Sequence, residues 1–133
     1  MSQLLSIATE IAAICGTIAT AEVKFVPDYK LGEADEAAKI YVVPVGSRRA
    51  IETRADSDTV YTYEVGLLRW VMSDSDVETC VSSLESVAEA LHGEQLSKSF
   101  VSEVETKLLY SVEAVSRRRQ YVGVLSVEVR DLE

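Results

Sequence analysis

Apolar residues recur through residues 3–19 at helical spacing. Leu4, Ala8, Ile11, Cys15 and Ile18 fall on one line, and Leu5, Ile7, Ala12 and Ile14 widen it. This predicts an N-terminal amphipathic helix within residues 1–21, frayed from Gly16 onward. The period then changes. Residues 22–27 predict a short strand closed by Pro27-Asp28, and 29–38 a polar connection. Residues 39–45 (KIYVVPV) are apolar on both faces and predict a central strand, whose regular pairing Pro44 and Gly46 should end. Residues 46–58 (GSRRAIETRADSD) form the most polar stretch and read as a hairpin or loop excursion, in which 50–54 can be extended.

A long strand is predicted over 59–71. Tyr61, Tyr63, Val65 and Leu67 alternate onto one face, with Thr62, Glu64, Gly66 and Trp70 on the other. The second helix carries the strongest signal. Ser75-Asp76-Val77-Glu78 fits a capping box, and Val77, Cys80, Val81, Leu84, Val87, Ala88 and Leu91 make an unbroken stripe. His92-Gly93 supplies a C-terminal cap. Residues 100–109 should be extended, 110–115 should turn, and 120–130 should be a last strand with Tyr121, Gly123, Leu125, Val127 and Val129 on one face. The predicted order is α-β-β-β-α-β-β, with a hairpin joining the second and third strands. One fold class buries every stripe at once: α+β, a single mixed or antiparallel β-sheet with two helices packed on one face.

Length and composition sharpen this picture. At 133 residues, 47% hydrophobic, with 6 Gly and 2 Pro, the chain suits a single domain over residues 1–133. Collagen-like, disulfide-rich and low-complexity classes are excluded. Ala19-Thr20-Ala21 resembles a signal cleavage site, but no Lys or Arg precedes Lys24 and Glu10 interrupts the apolar stretch. The uncharged run 11–21 is too short to span a bilayer, so no membrane partner is expected. Cys15 and Cys80 fall on apolar helix faces without a CxxC pair, which points to buried reduced thiols and a reducing compartment.

Charge argues against gripping nucleic acid. The formal net charge is −9, and neither half is basic: residues 1–66 carry 6 basic and 10 acidic side chains, residues 67–133 carry 7 and 12. No catalytic constellation emerges, so no enzyme activity, cofactor or metal is expected. The single histidine, His92, sits at a helix end, where a capping role fits better than a general base. Asp74, Asp76 and Glu78 cluster at a helix start, where they complement the macrodipole; binding a metal or acting as acid and base are the alternatives. Asp56 and Asp58 are most simply solvated.

Arg117-Arg118-Arg119 is the densest positive charge. Pairing with acidic neighbours, on this or another chain, is the first reading; a solvated face and phosphate binding are the others. Arg48, Arg49 and Arg54 in the polar excursion read similarly, and Trp70 suits packing or an anchor in a subunit contact. These seven residues are the candidate subunit or partner interface.

The series KIYVVPV (39–45), the polar stretch with Arg48 to Arg54, YTYEVGLLRWV (61–71), the capped helix 75–91 and the closing LLYSVEAVSRRRQYVGVLSVEVR resembles small neck proteins of tailed bacteriophages, of the tail-terminator or tail-completion kind. The resemblance spans residues 22–130. In that group the turn near Tyr110 reads Tyr-x-Pro-Glu-His-Leu; here Val112 replaces the Pro and Ala114 the His.

The resemblance implies a structural virion protein assembled as a ring, commonly a hexamer, that terminates the tail tube and joins tail to head. It also implies as partners further copies of the chain, the tail tube protein and a head-completion or connector protein. DNA would pass through without specific binding. The expected location is the neck or tail of the virion, with assembly in the host cytoplasm. A head-completion or adaptor protein between portal and tail is the alternative. A small cytoplasmic α+β enzyme, with a site of Asp, Arg and Tyr at a subunit boundary, and a regulatory binding module stand further off.

Overall fold

The computed structural model describes residues 3–24, 38–51, 57–97, 99–109 and 119–131. Helix α1 (Gln3–Cys15) and strand β1 (Thr20–Val23) are followed by strands β2 (Lys39–Ile51) and β3 (Ser57–Trp70). Helix α2 (Asp74–Leu91) then leads to strands β4 (Ser99–Leu108) and β5 (Gln120–Asp131). The five strands form one mixed sheet in the order β1-β2-β3-β5-β4, with β1 parallel to β2 and the other pairs antiparallel. A parallel pair requires a crossover of a dozen residues or more, which residues 24–38 supply in length.

The α+β class and the predicted element order hold. Both helices lie on one face of the sheet. Ile7, Ala8, Ile11 and Cys15 of α1 and Cys80, Leu84, Val87 and Leu91 of α2 meet Ile40, Val42, Tyr63, Val65, Leu67, Tyr121, Leu125, Val127 and Val129 in one core. These are the alternate positions of each strand, as a period of two demands. Tyr63 ties the layers together, its hydroxyl donating to the Leu4 carbonyl at 2.6 Å. A second link joins α1 to the turn before β4, where the Ser97 N–H donates to Glu10 Oε1 at 3.0 Å.

Four expectations on boundaries are corrected. Helix α1 stops at Cys15, before Ile18, because the chain turns at Gly16; Ile18 and Ala19 then donate back to the Cys15 carbonyl. β1 begins two residues earlier than 22–27, and Pro27 lies outside the described residues. Pro44 and Gly46 interrupt β2 without ending it. Val45 is squeezed out as a bulge, 57% exposed, and pairing resumes from Gly46 opposite Thr62 to Ile51 opposite Ser57. Within the polar excursion the ends of β2 and β3 therefore continue as a paired arm, Gly46–Ile51 against Ser57–Thr62.

The fourth correction concerns the cap of α2. It is Ser73, whose side chain accepts from the Asp76 N–H at 3.3 Å, and Ser75 and Glu78 sit inside the helix. Asp76 returns the bond one residue earlier, accepting from the Met72 N–H at 2.9 Å. The helix ends as expected: His92 is the C-cap and Gly93 follows with φ +68°, a left-handed value suited to glycine. The turn expected at 110–115 lies outside the described residues.

Candidate assembly surfaces

The acidic cluster at the start of α2 has structural employment. Asp76 caps the turn and stands 3.6 Å from the Arg69 guanidinium. Burial raises the pKa of the Cys80 thiol, and the charge and hydrogen bond of Arg69 offset this only in part. Burial pushes the Cys15 thiol up to about 12. The hydroxyls of Tyr63 and Tyr121 are raised by the same cause, and Tyr121 donates to the Leu109 carbonyl. All four groups are thus held neutral at physiological pH, and the two cysteines are free thiols. Among the described residues no group of His, Cys, Asp and Glu could hold a metal ion, and no helix is long and apolar enough to cross a membrane.

The candidate interface residues do not converge on one patch. Arg48 and Arg49 lie in the arm, in register with Val60 and Thr59 of β3. Trp70, at the other end of β3, pairs with Gln120, and the Val71 N–H donates to the Arg119 carbonyl at 2.9 Å. At about 3.3 Å per residue the two groups stand roughly 35 Å apart along the strand. Trp70 and Arg119 are therefore neighbours, and Arg48 and Arg49 are not theirs. Arg119 is exposed and carries φ +52°, a left-handed backbone that costs a non-glycine residue about 1 kcal/mol. Arg54, Arg117 and Arg118 lie outside the described residues.

Three surface features escaped the sequence pattern. The sheet face opposite the helices is divided: Tyr41, Val43 and Leu68 form a small buried cluster with Trp70 and Val122 packed on it, while Glu64, Ser126, Glu128 and Glu103 share a polar half toward the arm. KIYVVPV, apolar on both faces, was the signal for the cluster. Large apolar side chains are exposed at the Trp70 end of the sheet, with Met72 at 72% and Leu109 at 44%.

The third feature lies on the two edge strands. Among the described residues, an ion pair spaced two residues apart stands at each: Glu22 of β1 with Lys24 just after it, at 3.6 Å, and Glu105–Lys107 of β4 at 3.5 Å. The Lys24 ammonium also lies 4.3 Å from the centre of the Tyr41 ring, which places it on the face away from the helices.

No family model matches the chain, and no curated protein matches it. Among solved structures, it is similar to a chain described as "Virion of native gene transfer agent (GTA) particle", at 15% identity over 97% of this chain and 89% of that one, with a TM-score of 0.46. A likeness at that level decides neither fold nor function.

Proposed function

We propose that this chain is a structural virion protein of a tailed-phage neck or tail, forming a ring that terminates the tail tube and joins tail to head. One observation carries the reading. The residues of the neck-protein resemblance fall on the elements that build the sheet: KIYVVPV opens β2, YTYEVGLLRWV is the body of β3, and QYVGVLSVEVR is β5. The helices cover one face of that sheet, as their apolar stripes predict. In this reading the arm at one end, and Trp70 with Arg119 at the other, meet neighbouring subunits or the tube.

Electron microscopy of the purified protein, alone and with tail tubes, tests the proposal. Rings capping tube ends support it; rings that bind only portals move the role to a head-completion adaptor. A monomer that neither caps tubes nor binds portals refutes both. An acidic subunit also suits a DNA path, because an acidic or mixed wall repels phosphate within the Debye length of ~8–10 Å. Duplex DNA should show no gel shift, even at low salt. Sub-micromolar binding abolished by substituting Arg48, Arg49 and Arg54 would instead make the arm a DNA-gripping collar.

A further inference from the structure

The register of the sheet brings the two edge-strand ion pairs into correspondence. Chain direction comes first. β1, β2 and β5 run one way, and β3 and β4 the other. If a second copy is placed beside the first by rotation about a ring axis, β4 of one meets β1 of the next running antiparallel, the better-bonded arrangement. Height in the sheet comes second. Glu105 is level with Ser126, Glu64 and Val43, and Val43 is one step beyond Val42, the partner of Val23; that is the level of Lys24. Leu108, next to Lys107, is level with Val124, Gly66, Tyr41 and Glu22.

Charge comes third. Along β1 and the residue after it the order is Glu22 then Lys24; on β4 it is Glu105 then Lys107. With the strands antiparallel, Glu105 faces Lys24 and Lys107 faces Glu22. Both pairs stand on the face away from the helices, since Glu22 is in register with Tyr41 and Glu105 with Ser126.

We infer that a second copy of this chain docks edge to edge, β4 of one copy antiparallel to β1 of the next, with the two within-strand ion pairs exchanged for two between copies. This deepens the ring reading and rests on it. Part of the β4 edge is already closed: the Leu96 N–H donates to Ser99 and the Val101 N–H to Glu94. Among the described residues the remaining stretch, 102–108, has a strand on one side only. Of that stretch, Glu105 to Leu108 lies at the height of Glu22 to Lys24. Charged side chains and the two bulges of β4 would repel an arbitrary strand. A strand of the reciprocal charge order is accepted, so the same residues that oppose aggregation select the partner.

The test uses the full chain, whose native cysteines are buried. Lys24→Cys and Glu105→Cys are made separately, mixed and oxidised. The expected product is a mixed disulfide dimer, absent when either variant is oxidised alone. A dimer from one variant alone means a two-fold contact and overturns the inference. In a second arm, the pair Glu105→Lys with Lys107→Glu should abolish the wild-type oligomer seen by native mass spectrometry at low salt. Adding Glu22→Lys with Lys24→Glu should restore it. If the wild type forms rings but the mixture gives no cross-link and the swap no rescue, edge pairing is wrong and the ring reading stands. A wild type that stays monomeric at every concentration, with and without tail tubes, removes both.

Discussion

Gly123 lets α2 approach the sheet, and replacing it should show how closely the layers are fitted. A Cβ at this position would lie 2.6 Å from Leu84 Cδ2 and 2.7 Å from the Tyr121 hydroxyl oxygen. Neither atom can easily give way. Leu84 is 1% exposed within the core, and the Tyr121 hydroxyl is held by the Leu109 carbonyl. Overpacking of this kind costs about 1–3 kcal/mol, and a lost hydrogen bond about 1 kcal/mol more. Against this, alanine is favoured over glycine inside a strand by about 0.5–1 kcal/mol. Gly123→Ala should therefore destabilise by about 1–3 kcal/mol, or lower Tm by about 3–5 °C per kcal/mol for a chain of this size. Urea denaturation with a constant slope is the assay.

A double-mutant cycle isolates the cause. Leu84→Ala alone should cost about 2–5 kcal/mol, but in its background the new methyl enters the vacated space, so the combined loss should fall short of the sum. A neutral or stabilised Gly123→Ala protein, or strict additivity, would refute the close approach.

Leu84→Asp places an uncompensated charge in the core and should abolish the cooperative melt, read by circular dichroism. Ser73→Ala should lower stability by about 1 kcal/mol, whereas Ser75→Ala, inside the helix, should change it by less than half of that. Cys15 should be inert to a thiol reagent at pH 8 in the native protein and reactive once unfolded. Because its folded pKa of about 12 lies above the ordinary 9.0, the unfolded state loses its proton first; stability should decline as pH rises from about 9 toward 12. That slope should flatten in Cys15→Ala.

What the sequence made legible was periodic and local. The stripe of α2 and the alternations of β3 and β5 named their buried faces correctly, because a half-buried element must repeat at its own pitch. The cap of α2 was misplaced by two residues for an identifiable reason. Ser73-Asp74-Ser75-Asp76 and Ser75-Asp76-Val77-Glu78 are overlapping versions of the same signal, and the choice falls to Asp76, which Arg69 and the Met72 N–H hold in place. Pro44 suggested an end where the sheet absorbed it as a bulge, since the partner residues Thr62 to Ser57 continued the ladder. The candidate surfaces were harder. Arg48 and Arg119 look alike in sequence, yet strand order puts them at opposite ends of β3. The Glu22–Lys24 and Glu105–Lys107 pairs acquire a relation only once β1 and β4 are known to be the two edges.

That strand order also sets a timetable. β5 is the last strand in chain order, yet it lies inside the sheet, and β4 joins the other strands only through it. Until β5 arrives, β3 lacks a neighbour on one side and β4 has no sheet to belong to. At a synthesis rate of about 5–20 residues/s, the stretch from Leu108 to Asp131 takes about 1–5 s to make. During that interval a nascent chain can pair β2 with β3 and dock α1, but it cannot align Glu105 with the level of Lys24. If copies dock edge to edge as proposed, chains crowded along one message would be poor partners for each other, and competence to associate would come only after the final strand has closed the gap.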